Sequence, residues 1–374
     1  MLLPMSASTR LHVLMSVDAV GGVWTYALDL AAGLAQRGVV ATLAVLGPPP
    51  DRAQLAAAAA VERLSVVDLN QPLEWLAGSA AEIESSGLAL DALAREIGAD
   101  LVQLNAPAPA ATVRFAAPLV IACHSCLATW WRTMRRDPVP DDFAWRAALT
   151  ARAYRSADLL IAPTAWFAAD TRLVYDLPTT PLVVHNGRRF PLHAQDVPDG
   201  PLAFTAGRLW DEGKGAGILD QAAAALPFPL VAAGQTEGPN GARADLHHLK
   251  LVGRLSAEAI ASVLATRPVF ASAARYEPFG LAVLEAAQAG CALVLSDTPG
   301  FRELWGDAAV FVEADDAAGF ATAIESLVGD GERRAALGVA ARERAGFYNM
   351  DRQVAGMLAA YQEVLGRTGR DAAA

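Results

Sequence analysis

The chain has 374 residues, 53% of them apolar and 19% charged, which is longer than one hydrophobic core keeps growing, so two domains are expected. Its formal net charge is −10, from 40 acidic and 30 basic side chains, a balance that repels nucleic acid and excludes it as the expected partner. A mean hydropathy of +0.28 excludes a disordered chain, yet no stretch approaches the ~18 consecutive apolar residues of a membrane span.

Only Lys214 and Lys250 are lysines, and every other basic residue is arginine, so a lysine inside a glycine-rich loop calls for a specific reason. Three cysteines, Cys123, Cys126 and Cys291, cannot form a disulfide framework and point to a reducing compartment. The start has no basic region ahead of its apolar residues, and Ser6, Ser8, Thr9 and Arg10 interrupt it, so a cytoplasmic protein is expected.

A strand over 11–17, the loop Asp18 to Gly22, a helical pattern over 23–37 and a second strand over 40–46 form a β-loop-α-β unit. Strands follow at 63–69, 101–104, 119–122, 158–162 and 182–184, with helices over 88–98, 143–155 and from about Trp166. Periodicity then disappears between Arg188 and Pro201, the expected linker. Beyond it, strands at 202–206, 230–233, 250–252, 268–271, 292–295 and 310–312 alternate with helices, and a last helix runs over 350–365. The fold class is α/β: two Rossmann-like domains with parallel sheets, facing each other across a cleft at the carboxyl ends of their strands. The N-terminal domain is expected over 1–190, completed by a helix at about 347–366, and the C-terminal domain over 201–346.

The strongest motif is Glu277-Pro278-Phe279-Gly280-Leu281 followed by Glu285, in a loop-to-helix segment. The spacing predicts a helix from Phe279, with Glu285 nearly two turns in and free backbone N–H groups at its start that favour an anion. One segment would then offer carboxylates to sugar hydroxyls and to a ribose, and amides to a phosphate between them. The same carboxylates also read as solvated acids at a helix start. Upstream, Gly207-Arg208-Leu209 and Gly213-Lys214-Gly215 place two cations on one loop after a strand, where they can straddle a diphosphate. Gly21-Gly22 is a second backbone site for phosphate, or a plain tight turn, and His124 directly follows a strand at the cleft edge. Cys123-x-x-Cys126 around His124 has metal or redox spacing, but a second ligand pair is absent and the preceding residues read as a buried strand, so no metal is expected. Trp130, Trp131, Arg132 and Arg135 combine stacking surfaces with cations; they suit an acceptor saccharide, an anionic membrane surface, or a half-buried helix with a solvated edge.

Gly21-Gly22, His124, His185-Asn186-Gly187, Arg208 with Lys214, and Glu277-x7-Glu285 together resemble a family 4 glycosyltransferase of the GT-B fold, over nearly the whole chain. The resemblance implies retaining transfer from a nucleoside-diphosphate sugar, UDP- or GDP-linked, without a metal or other cofactor. The acceptor would be a glycan, a lipid-linked saccharide or a small molecule, met in the cytoplasm or at the inner membrane surface. It implies that Arg208 and Lys214 neutralise the diphosphate and that Glu285 holds the ribose. Glu277 would hold the donor sugar and His124 would sit over it, while the base would lie near Arg254 and Leu255. Gly21, Gly22, Phe279, Gly280 and Leu281 would complete the donor site. A silent nucleotide-sugar-binding subunit and a sugar-nucleotide epimerase of the same architecture are the alternatives. A phosphorylase needs a pyridoxal lysine, for which neither lysine has the context, and a dehydrogenase needs the full G-x-G-x-x-G that Gly21-Gly22 lacks.

Overall fold

A computed structural model of the protein describes residues 11–191, 200 and 202–371. The expected linker over 188–201 falls largely outside the described residues, as do the first ten residues. The first half runs β1 (His12–Val17), α1 (Gly22–Ala35), β2 (Val40–Val45), α2 (Arg52–Ala59), β3 (Leu64–Asp68), α3 (Ala80–Glu96) and β4 (Leu101–Leu104). It continues with β5 (Leu119–Ala122), α4 (Leu127–Met134), α5 (Asp141–Ser156), β6 (Leu159–Ala162), α6 (Ala165–Tyr175) and β7 (Leu182–Val183). The second half holds β8 (Ala203–Ala206), α7 (Ala216–Ala225), β9 (Leu230–Ala233), β10 (Lys250–Leu251), α8 (Ala257–Ala265), β11 (Val269–Ser272) and α9 (Leu281–Ala289). It closes with β12 (Leu293–Ser296), α10 (Pro299–Trp305), β13 (Val310–Val312), α11 (Ala317–Gly329), α12 (Gly331–Ala345) and α13 (Met350–Asp371).

The first sheet has the order β3-β2-β1-β4-β5-β6-β7 and the second β10-β9-β8-β11-β12-β13, each parallel throughout. The inner strands β4, β5 and β12 are buried along their whole length, as continuous apolar runs covered by helices on both faces require. In each sheet the order reverses once, between β1 and β4 and between β8 and β11. At such a point neighbouring loops leave in opposite directions and open a crevice beyond the strand ends. The loops carrying Gly21-Gly22 and the Arg208–Lys214 segment leave from β1 and β8, and the Glu277 loop leaves from β11.

The last helix returns to the first sheet. Val354, Met357, Ala360, Tyr361 and Val364 of α13 are buried with Leu30 and Leu34 of α1 in one cluster. The approach is close because Gly33 has no side chain: a Cβ there would lie 2.4 Å from Val354 Cγ2. Among the described residues no helix is long and apolar enough to cross a membrane.

Some elements differ from the expectation. Helix α9 begins at Leu281 rather than Phe279, because Gly280 takes φ +89°, a left-handed conformation that breaks the helical path. Glu285 therefore sits in the second turn, and the free amides at the start are those of Leu281, Ala282 and Val283, since Leu284 N–H already bonds Gly280 O at 3.1 Å. Helices α10 and α12 lie where no helix was expected, each opened by a side-chain cap, Thr298 to Phe301 N–H and Asp330 to Arg333 N–H. Cys123 and Cys126 are buried beside β5, and burial pushes both thiols up, so they pack as small apolar groups.

Candidate active site

The loop after β8 is built to hold its cations in place. Asp211 caps the short turn Glu212–Lys214 by accepting from Gly213 N–H, and it also accepts from Arg208 Nη2 at 2.8 Å. Gly213 O accepts from both Arg275 N–H and Tyr276 N–H, at 3.0 and 3.2 Å, which ties this loop to the one after β11. The turn then ends on Gly215 at φ +68°, where a Cβ would fall 1.9 Å from Ala273 O. Lys214 emerges from that turn and pairs with Glu277, Nζ to Oε2 at 2.6 Å, both side chains about four-fifths buried. Two of the residues expected to touch the donor are thus brought together.

Arg208 crosses toward the first domain. A Cβ placed on Gly21 would lie 3.2 Å from its Nη1, and one on Gly22 would lie 3.5 Å from Leu281 Cδ1. The start of α1, the start of α9 and the Arg208 guanidinium therefore surround one small volume. Two helix N-termini and the Arg208 guanidinium converge on it, an arrangement that favours an anion. Glycine at 21 lets the guanidinium approach the backbone, which is extended there at φ −146° and ψ −155°.

Glu277 is positioned from the opposite domain. Its neighbour Tyr276 is buried in the cluster of the first sheet, and its hydroxyl accepts from Cys126 N–H at 3.2 Å and shares a hydrogen bond with Thr129 Oγ1 at 2.8 Å. Thr164 Oγ1 donates to Pro278 O at 3.1 Å, and Glu303 of α10 accepts from Ala165 N–H and Trp166 N–H at the start of α6. Tyr276, Thr164 and Glu303 were not anticipated from sequence. Tyr276 directly precedes the Glu277 motif, while the other two act through contacts more than 100 residues distant in the chain.

Glu285 is the residue whose setting differs most from the expectation. It is held by Arg188 Nε at 2.6 Å, and Arg188 Nη1 also pairs with Asp29 of α1 at 2.7 Å. All three side chains are 10–15% exposed. Burial raises both carboxyls, Arg188 offsets part of that effect, and the two carboxylates keep the guanidinium charged against its own burial. Arg188, just beyond β7, thus joins the first domain to the helix that carries Glu285.

His124, at the end of β5, bonds Asn105 through Nε2 at 2.9 Å and meets the ring of Tyr26 edge-on at 4.4 Å. Burial pushes its pKa down to about 4, so the imidazole is neutral at physiological pH. Phe279 is buried in the second core beside Tyr348. Arg254 pairs with Asp51 at the start of α2, 3.2 Å away, beside a recess of about 270 Å³ lined by Gly234, Thr236, Glu237, Gly253 and Arg254. Leu255 packs instead on the second core. A larger groove of about 560 Å³ runs under Leu202, Phe228 and Pro229, near the amino ends of β8 and β9; Lys250 lines it, but neither Arg208 nor Lys214 does.

The aromatic and basic residues of α4 are partly engaged. Arg135 forks onto Glu212 of the second domain and lies 4.9 Å from the Trp130 ring centre. Arg132 pairs with Asp170, and Trp131 Nε1–H donates to Asp137 O at 2.8 Å. Trp130 also borders the cation loop, since a Cβ on Gly213 would fall 3.1 Å from its Nε1.

Glu74, near Asp18 below the first-domain loops, accepts from Ala108 N–H at 2.9 Å, and burial raises its pKa to about 7. The folded chain keeps this proton where the unfolded chain, with an ordinary value near 4.5, has lost it. Stability due to this group is therefore present at low pH and falls as pH rises from about 4.5 to about 7. Glu74→Gln, which keeps an acceptor for Ala108, is expected to gain on the order of 1–3 kcal/mol at pH 8 and almost nothing at pH 4. Urea unfolding at both values checks the sign.

Two facing, parallel, Rossmann-like sheets with the ligand groups at their strand ends define the GT-B architecture. The solved structures with this fold include sucrose-phosphate synthase from Thermosynechococcus elongatus, with a TM-score of 0.79 and 19% identity over 96% of this chain and 100% of that one. HepE from Anabaena in complex with UDP-glucose gives 0.71 and 20%, over 94% and 100%. A family model described as Glycosyltransferase Family 4 matches residues 20–188, and one described as Glycosyl transferases group 1 matches residues 197–344. The chain belongs to the family 4 glycosyltransferases. It is 31% identical over 182 residues to a phosphatidyl-myo-inositol mannosyltransferase of Mycolicibacterium smegmatis. That alignment spans 45% of this chain and 46%, about half, of the relative.

Proposed function

We propose that the protein is a retaining, metal-independent glycosyltransferase that moves a sugar from a UDP- or GDP-sugar to a glycan, lipid-linked saccharide or small-molecule acceptor. The observation that carries this reading is the convergence of Arg208, the Lys214–Glu277 pair and the starts of α1 and α9 on one volume. The diphosphate would lie between Arg208 and Lys214, with the amides of Leu281 to Val283 on the phosphate nearer the nucleoside. The base would occupy the recess beside Arg254. Glu277 would accept hydrogen bonds from donor-sugar hydroxyls, and His124 would face the sugar from the first domain. We assign 1–190 with α13 to the acceptor side and 201–346 to the donor side.

As the bond between the anomeric carbon and the phosphate oxygen breaks, negative charge grows on the departing diphosphate. Fixed cations and helix amides stabilise it there without reorganising. The acceptor oxygen attacks from the face that the phosphate leaves, and its proton passes to a phosphate oxygen. Configuration is kept with no covalent carboxylate intermediate. Trp130 and Trp131 on α4 would offer the acceptor ring a stacking surface, with Arg132 and Arg135 at its edge; the same face suits an anionic membrane surface.

The test is the anomeric configuration of the first-formed product by NMR, measured with and without EDTA. Retention with undiminished turnover in EDTA is the expected result. Inversion would remove the front-face mechanism, and loss of activity restored by a divalent cation would remove metal independence.

A further inference from the structure

Asn105 closes β4 at the switch point of the first sheet, and no motif singled it out. It is 7% exposed and fully engaged. Its Nδ2 lies 2.7 Å from Ser16 O, and its Oδ1 faces His124 Nε2 at 2.9 Å and Gln103 Nε2 at 3.0 Å. A backbone carbonyl only accepts, so the amide nitrogen must be the group facing Ser16. The neighbouring Gln103 is consistent with this: Tyr361 of α13 donates to Gln103 Oε1, and Gln103 Nε2 donates to Asn105 Oδ1. A reversed Asn105 would set amide against amide and carbonyl against carbonyl.

With Oδ1 fixed as an acceptor, the nitrogen of His124 that faces it must carry the hydrogen. Because burial keeps the ring neutral, the other nitrogen is then bare, and among the described residues Nδ1 has no hydrogen-bond partner. The geometry points to Asn105 as a positioning residue: it holds His124 as the Nε2–H tautomer, so that Nδ1 is an acceptor reserved for a hydroxyl of the donor sugar. The role of that hydroxyl rests on the glycosyltransferase reading above; the tautomer does not. The support is continuous, running from Tyr361 of α13 through Gln103 and Asn105 to His124, with Asn105 N–H anchored on Ser16 Oγ at 2.9 Å.

The experiment is nitrogen-15 NMR of the histidine rings in the full chain, with His124 assigned by the signals that vanish in His124→Gln. A protonated, pyrrole-type Nε2 and a pyridine-type Nδ1 at neutral pH are expected; a proton on Nδ1, or a mixture of tautomers, would overturn the assignment. This readout stands whether or not any nucleotide sugar is turned over, so its failure and that of the proposed function are separable. In Asn105→Leu the ring should average between tautomers and kcat should fall about tenfold or more, while UDP and GDP affinity stays within about twofold. Asn105→Asp keeps an acceptor facing His124, at the cost of the bond to Ser16 O, and should restore the Nε2–H form with part of kcat. Unchanged kcat in Asn105→Leu, or no recovery of the tautomer in Asn105→Asp, would refute the positioning role.

Discussion

Lys214→Ala is expected to lower kcat/KM about a hundredfold or more, with most of the loss in kcat. Its ammonium sits at the end of a tightly pinned turn, 2.6 Å from Glu277. On the proposed function, removing it takes away a cation that would face the departing diphosphate, and it leaves Glu277 without its partner. The two effects separate in a cycle with Glu277→Gln. If Lys214 acts mainly on the leaving group, Lys214→Ala stays severe in the Glu277→Gln background. If it only neutralises Glu277, the double variant is no worse than Glu277→Gln alone. Arg208→Ala should fall in the same range, because the guanidinium reaches the Gly21 backbone from across the cleft. Near-normal turnover in both variants would remove the proposed diphosphate site.

The second large effect is on stability. Arg188→Leu leaves Asp29 and Glu285 buried without their shared cation, and breaking a buried ion pair from one side costs about 3–5 kcal/mol. The sign with pH follows from the burial of the two carboxyls. Their pKa values are already raised in the folded chain, and removing the guanidinium raises them further, so the folded variant binds protons that the unfolded chain releases. The variant should therefore be least impaired at low pH and lose stability as pH rises through the carboxylate range. Adding Asp29→Asn and Glu285→Gln to Arg188→Leu should recover much of the deficit at pH 7. Denaturant unfolding of the three proteins decides it; a loss below about 1 kcal/mol at pH 7 would show that the cluster is solvated rather than structural.

The parts of the site legible in the sequence are those encoded by short spacing. Gly21-Gly22 after β1, the glycine-flanked Lys214 and the Glu277 segment each declare themselves within a dozen residues, because a tight turn or a helix start needs particular residues in sequence. The alternation of strands and helices likewise marked two parallel sheets. What could not be read depends on partners brought together by the fold. Arg188 finds Glu285 across 97 residues and Asp29 across 159. Asn105 meets Ser16, and Tyr276 enters the core of the opposite domain. Glu285 shows the difference most plainly: the motif located it, but only the fold revealed that an arginine from beyond β7 already holds it. The misplaced start of α9 has a local cause, since Gly280 fits a helical pattern by position and breaks it by its φ. Helix α12 was missed because its surface is largely charged, with only Gly338, Ala341 and Ala345 buried, so it has little apolar stripe to read.

The proposed function requires that the cleft bind a nucleotide sugar through Arg208 and Lys214 and transfer its sugar. The most direct measurement is release of nucleoside diphosphate from a panel of UDP- and GDP-sugars, with and without candidate acceptors, comparing the wild-type chain with Lys214→Ala. Turnover of at least one donor is expected, stimulated by an acceptor and reduced about a hundredfold or more in the variant. Turnover of the same donor at equal rates by both proteins would contradict it, as would failure of every UDP- and GDP-sugar to bind the wild-type chain.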